Sequence, residues 1–276
     1  MSREYTPRLV VLEILVVIGA LVFMVPFAFV LLNSFKPIAE IVKNASAWPQ
    51  TFTWQNYTKA IEQIKFLRVL ANSLVITGGS IAGMVILGAM AAWKMARTGN
   101  RIARIMFFLY VVAMVIPFQS LMIPLVKVAM VLKMLNSRWG LIVIYFGFGM
   151  PFTVFLYHGF VKSVPRDMEE SGAIDGCNDL RLFWQIVLPL LKTITTTVII
   201  LQTLWIWNDF LLPFLILYKQ KLHTIPLAVN RFFGQYLNQW DKALAALVLS
   251  IIPIVIFFLF LQKNIIRGIS AGALKG

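Results

Sequence analysis

Charge is scarce in this chain, and acidic charge most of all: 13% of the 276 residues are charged and only 11 are Asp or Glu. The single cysteine, Cys177, excludes an internal disulfide; with no Cys or His beside it, it reads as a small turn residue. His158 and His223 are the only histidines and no HExxH occurs, so a metalloprotease has no support and no metal site is expected. No GxxxxGK[ST] phosphate loop is present, so the chain is not its own ATPase, and no catalytic residue is assigned.

Apolar residues fill the space that charge leaves. At 60% hydrophobic residues and a mean hydropathy of +0.83, the sequence reads as an integral membrane protein with the lipid bilayer as its solvent. The formal charge of +14 does not point to nucleic acid, because the basic residues flank apolar runs instead of forming one patch.

Six such runs, residues 14–32, 69–93, 105–126, 139–161, 193–217 and 243–261, predict an all-α polytopic fold with six transmembrane helices in one membrane domain over 1–276. The first run has nineteen residues, or about 28 Å of helix against a bilayer core of about 30 Å. Ala45-Ser46-Ala47 resembles a signal-peptidase site, but it lies too far beyond a run that is too long for a signal sequence, so a retained helix is expected. In the second run Gly79 and Gly83 form a GxxxG pair, which predicts close packing on a neighbour. Lys94, Arg97, Arg101 and Arg104 then form a short basic loop without an acid, the mark of a cytoplasmic side. Pro117 and Pro124 bend or break the third run, and Gly147, Gly149 and Pro151 interrupt the fourth, where His158 reads as interfacial. Between the first two runs lies a polar excursion with Trp48, Trp54, Asn56 and Tyr57, whose rings suit either the membrane interface or a soluble partner.

Five of the eleven acidic residues fall between Asp167 and Asp179, so charge is concentrated in one loop. Residues 163–189 predict a helix-turn-helix. Ser163 is placed to cap the first helix, Pro165 suits its opening turn, and Asp167, Glu169 and Glu170 complement its positive end. Val164, Met168, Ser171 and Gly172 share a face that ends in small side chains. Asp175-Gly176 signals a turn, and Asn178 or Asp179 caps a second helix on which Leu180, Phe183, Trp184, Val187 and Leu188 line up before Pro189.

Here the sequence resembles the permease subunits of binding-protein-dependent ABC importers, in particular the maltose and multiple-sugar type of the carbohydrate-uptake branch. The shared motif is Glu-Ala-Ala, three residues, Gly, nine residues, Ile-x-Leu-Pro, and Glu170, Ser171, Gly172, Gly176, Ile186, Leu188 and Pro189 stand in that register. The departure is Ser171-Gly172 for the two alanines. The resemblance implies that this loop, with Glu169, Glu170 and Asp175 among its polar residues, enters a cleft on an ATPase subunit and transmits its motion. It also implies a second homologous permease subunit, two ATPase subunits carrying ATP and Mg, an extracytoplasmic sugar-binding protein, and no cofactor on this chain. The location implied is the inner membrane of a prokaryote with both termini cytoplasmic; counting charges alone gives thirteen basic residues inside and twelve outside, which decides nothing.

Two further stretches carry expectations. Trp205 to Pro213 resembles the family's fifth-helix ending, and Asn208 and Asp209 are read as part of a gate or path, or as a helix cap near the headgroups. In the last outer loop Phe232, Phe233, Gln235, Tyr236, Asn238 and Trp240 combine rings with amides, which suits contact with the binding protein or its sugar, although a membrane belt would explain the rings. The tail ending Gly272-Ala273-Leu274-Lys275-Gly276 is similar to that of the sugar branch. The implied function is import of a sugar or short oligosaccharide. The alternative, a secondary ion-coupled carrier or channel subunit, would call for ionisable residues in the middle of the helices, where none is found.

Overall fold

A computed structural model describes residues 7–233 and 239–273, those beyond 262 as backbone only. The described residues are helices joined by turns. In chain order they are α1 (Pro7–Ser34), α2 (Ile38–Asn44), α3 (Gln55–Ile64), α4 (Phe66–Thr98), α5 (Arg101–Val115), α6 (Phe118–Val131), α7 (Arg138–Val161), α8 (Asp167–Ile174), α9 (Asp179–Leu182), α10 (Leu188–Leu190), α11 (Lys192–Asn208), α12 (Leu211–Ile216), α13 (Ile225–Val229) and α14 (Trp240–Ala273).

Four helices are long and apolar enough to cross a bilayer: α1, α4, α7 and α14. The other two expected spans are broken. Residues 105–126 do not form one rod: α5 and α6 meet at 105°. The cause is Pro117, whose ring pushes Ile116 into an extended conformation (φ −72°, ψ 119°) and ends the helix, whereas Pro124 is carried inside α6. Residues 193–217 are likewise divided, because α11 stops at Asn208 and Asp209 is extended (φ −73°, ψ 127°) before α12 begins. Pro151, expected to interrupt the fourth run, is accommodated within an unbroken α7.

The chain divides into two compact units, residues 1–66 with 229–252 and residues 67–228 with 253–276. In the first, the end of α1 is tied down by its own excursion. Asn56 donates to the carbonyls of Ser34 and Lys36, both at 2.9 Å, and the Tyr57 and Ser34 hydroxyls are 2.6 Å apart. Lys36 is buried, its ammonium donating to the Ala45 carbonyl at 2.9 Å and to that of Ala47. Asn56 and Tyr57 thus have an internal role, while Trp48 and Trp54 remain exposed.

The second unit is built on close contact between α4 and α7. A methyl added at Gly79 would lie 3.0 Å from Ile142 and one at Gly83 3.1 Å from Phe146, so the GxxxG pair receives side chains of α7. Two apolar clusters follow along these helices. One joins Ile76, Met84, Leu141, Tyr145 and Ile206 to α12; the other joins Ala92, Trp93, Val154 and Tyr157 to Phe183, Val187 and Leu191. Gln202 of α11 donates to the Gly149 carbonyl (3.1 Å) and the Thr153 hydroxyl (3.0 Å), bonding two helices through an amide that sequence reasoning did not single out.

Candidate coupling site

The acidic loop folds as a helix-turn-helix, with boundaries that differ from those expected. Its first helix starts at Asp167, preceded by Arg166 without a side-chain cap; the Ser163 hydroxyl instead bonds back to the Phe160 carbonyl at 2.8 Å. Three acids stand in the first turn, where the helix dipole favours them. Gly176 makes the turn at φ +82°, a conformation open to glycine and strained for other residues. Of the two candidate caps for the second helix it is Asn178, which accepts from the Arg181 amide at 2.9 Å. The chain then widens into a π-helical turn over Phe183–Val187. Pro189 lacks the N–H that would bond the Gln185 carbonyl, and its ring crowds that carbonyl, so a tight α-turn is not available there.

Which faces are buried also departs from expectation. Met168 and Ser171 are exposed, and the inward face of α8 consists of Glu169 and Gly172. In the second helix Leu182, Phe183 and Val187 are buried, whereas Leu180 (59% exposed) and Trp184 (47%) face outward. Leu180 and Trp184 are four residues apart and so are Phe183 and Val187, so the helical period holds, and the expected face is too wide because it includes the outward pair. Gly172 sits where a methyl would come within 2.4 Å of Ile186 Cδ1 and 2.8 Å of Leu182 Cδ1. The alanine usual in the resembling motif would not fit here without a shift of both side chains.

The two neighbouring glutamates part company. Glu169 is buried: one carboxylate oxygen accepts Arg97 Nη2 at 2.6 Å and Nε at 2.9 Å, the other accepts Trp93 Nε1 at 2.9 Å. Arg97 also donates to the Val164 carbonyl at 2.9 Å, so the network reaches the base of the loop. Lys94 pairs with Asp179 at 2.5 Å, with 60% and 70% of the two side chains exposed. That pair is worth little beside the buried one. The basic "loop" expected after the second run is therefore mostly helix: α4 continues to Thr98, carrying Lys94 and Arg97, and its charge is met by the acids of residues 167–179.

Glu170 is exposed and forms no ion pair with the described residues. Asp175 and Ser171 are exposed with it, the Ser171 hydroxyl donating to the Asp167 carbonyl. On the same short helix Met168 (48% exposed) and Ile174 (86%) are also open to solvent, and Leu180 and Trp184 are exposed on the second helix. Ile186 and Leu188 are half-buried and Pro189 is exposed.

Away from the loop, Asp209 is held by the chain itself. The Tyr145 hydroxyl donates to Oδ2 at 2.8 Å and the Leu211 amide to Oδ1 at 2.9 Å, which is the geometry of a cap on α12. Asn208 is exposed and donates to the Leu204 carbonyl. In the last outer loop Phe232 is buried, and Phe233 and Trp240 stack edge to face with centroids 5.4 Å apart. Gln235, Tyr236 and Asn238 lie outside the described residues. A cavity of about 470 Å³ between α4, α11 and α14 is lined mostly by apolar side chains, with Thr77 and Thr203 as its hydroxyl groups.

Residues 84–271 match the family described as binding-protein-dependent transport system inner membrane component. The chain is similar to the "Probable starch degradation products transport system permease protein AmyC" of Thermoanaerobacterium thermosulfurigenes, at 39% identity over 96% of both chains. It is 34% identical to the melibiose/raffinose/stachyose import permease protein MelC of Bacillus subtilis over the full length of both. To the multiple sugar-binding transport system permease protein MsmG of Streptococcus mutans it is 35% identical over 95% of both. In fold it resembles a chain of a bacterial ABC transporter involved in import of the acidic polysaccharide alginate, with a TM-score of 0.81 at 20% identity, covering 95% of this chain and 99% of the other. With the helix-turn-helix and its motif in place, these likenesses show that the chain belongs to the binding-protein-dependent transport system inner membrane components, as a membrane-embedded, all-α permease protein.

Proposed function

We propose that the chain is one of two permease subunits of an ATP-driven importer that carries a sugar or short oligosaccharide inward. The relatives AmyC, MelC and MsmG are described as permease proteins for starch degradation products, for melibiose, raffinose and stachyose, and of a multiple sugar-binding transport system, which supports a carbohydrate cargo. The nearly apolar cavity between α4, α11 and α14 suggests that a second permease supplies most of the hydrogen bonds to the cargo. Six spans, with α5–α6 bent at 105° as one broken crossing and α11, bent at 77° from the helical stretch Asp179–Leu190, as part of another, and both termini cytoplasmic, accommodate the coupling loop on the same side as the ATPases. A binding protein outside would meet the loop containing Phe233 and Trp240. The alternative of an ion-coupled carrier or channel subunit finds no support among the relatives.

The observation that carries the reading is the division of labour between Glu169 and Glu170: one carboxylate anchors α8 to α4 from within, and its neighbour is presented outward on a partly apolar face. A pair formed by Glu170 with a basic group of the ATPase would cost about 2–5 kcal/mol to break once buried. Co-purification of the ATPase subunits and uptake of sugar by membrane vesicles provide the test. Glu170→Ala and Gly176→Val should lose both while the protein inserts normally; undiminished uptake by both variants would remove the basis for the reading.

A further inference from the structure

A second pocket, of about 590 Å³, opens between the end of α4 and the facing sides of α5 and α7. Its walls divide by chemistry. At one end are Arg104, His158 and Lys162; the remainder is mostly apolar, with Phe107, Phe108, Val111 and Phe155 prominent, and none of the described residues that line it is acidic. This contrasts with Lys94 and Arg97 on the neighbouring stretch of α4, both matched by carboxylates of the acidic loop. Arg104 and Lys162 form no ion pair with the described residues, so two cationic groups at one mouth lack a counterion among those residues.

The pocket's position limits what neutralises them. Arg104 stands one turn into α5, which starts at the Asn100 cap, and Lys162 closes the C-terminus of α7, so both lie where a spanning helix leaves the apolar layer. Beside the pocket α5 presents Ile105 (50% exposed) and Leu109 (60%), a surface suited to hydrocarbon that continues the exposed ring of Phe108 (64%) in the pocket wall. The inner wall is fixed, since His158 stacks on Phe107 with ring centroids 3.8 Å apart. A ligand fitting this site has an anionic oxygen-rich end and a long apolar end. A sugar has neither, and free phosphate would leave the aromatic wall uncovered.

We propose that this pocket binds one anionic phospholipid, with its phosphate between Arg104 and Lys162 and an acyl chain along Phe108, Val111 and Phe155. The attraction of a cation near an anionic membrane surface amounts to about a five-fold preference per residue. The inference needs the chain to lie in a membrane and is independent of the solute carried.

Native mass spectrometry of the full chain, purified with equal phosphatidylglycerol and phosphatidylcholine of matched acyl chains, measures the preference. Wild type should keep one phosphatidylglycerol, and Arg104→Gln with Lys162→Gln should lower its retention relative to phosphatidylcholine by about 25-fold, two cations acting together. Arg104→Lys, which keeps the charge, should retain the lipid. Equal retention by wild type and the double variant, or no bound lipid on wild type, would overturn the proposal. So would full displacement of phosphatidylglycerol by millimolar inorganic phosphate, which would make the site one for a free anion. Should the double variant fail to insert, photoactivatable phosphatidylglycerol on wild type decides the matter. Labelling within 104–111 and 155–162 is expected, whereas labelling confined elsewhere, or cross-linking of this face to a co-purifying protein instead, would exclude the lipid.

Discussion

Arg97 on α4 and Glu169 on α8 meet at 2.6 Å across 72 residues of sequence, with only 15% and 10% of their side chains exposed. An ion pair so enclosed has both charges largely desolvated, and it holds here because Trp93 and the Val164 carbonyl satisfy what remains of each partner. The outcome is a fixed relation between a membrane helix and the loop beyond it. Motion delivered to α8 would thereby reach α4 without being lost in a flexible joint.

Removing one partner should therefore be severe. Glu169→Ala or Arg97→Ala leaves a buried charge alone and is expected to cost about 3–5 kcal/mol. Limited proteolysis of the variants in membranes should show faster cleavage within 163–189, and uptake should be lost. Exchanging the pair, Arg97→Glu with Glu169→Arg, should recover part of the protection. Wild-type protection in both single variants would show that packing alone holds α8.

A second expectation concerns Gly172. Gly172→Ala improves helix propensity by about 1 kcal/mol, but its methyl must displace Ile186 and Leu182, and overpacking of this kind costs about 1–3 kcal/mol. The variant should therefore be slightly less thermostable in detergent, and adding Ile186→Val, which deletes the closest methyl, should restore it. A thermostability rise from Gly172→Ala alone would mean that the side chains yield freely.

Much of this architecture is legible in the sequence, because bilayer-length runs and a motif with fixed spacing are strong one-dimensional signals. Gly176 as the turn and Asn178 as one of two candidate caps follow from local chemistry. What escapes is whatever depends on partners distant in sequence. Glu169 and Glu170 are equivalent carboxylates until Arg97 and Trp93 are placed in space, although their i, i+4 spacing on one apolar helix was an available clue. Leu180 and Trp184 share one face and Phe183 and Val187 another, and which of two adjoining apolar faces turns inward is set by packing on distant residues such as Trp93. Pro117 signals a bend or a break, but the 105° between α5 and α6 is not written in the local sequence.

At the other end of the fold, Asp209 is expected to act as a cap. Tyr145→Phe removes a hydrogen bond to a charged acceptor, worth about 1.5–3 kcal/mol, and should lower the melting temperature in detergent. Asp209→Ala loses the α12 cap in addition and should be the less stable of the two. Should Asp209→Asn instead abolish uptake at an unchanged melting temperature, the residue belongs to a gate.

The central claim is that the outward face of α8 docks on an ATPase subunit, and Ile174, 86% exposed at its tip, reports on it most directly. With Cys177 replaced by serine, a cysteine introduced by Ile174→Cys can be probed by short bifunctional thiol reagents in membranes containing the whole transporter. The account predicts a cross-link between residue 174 and the ATPase subunit, lost when Glu170→Ala is added. A residue 174 that reacts freely with soluble thiol reagents in the assembled transporter, and forms no such cross-link, would contradict it.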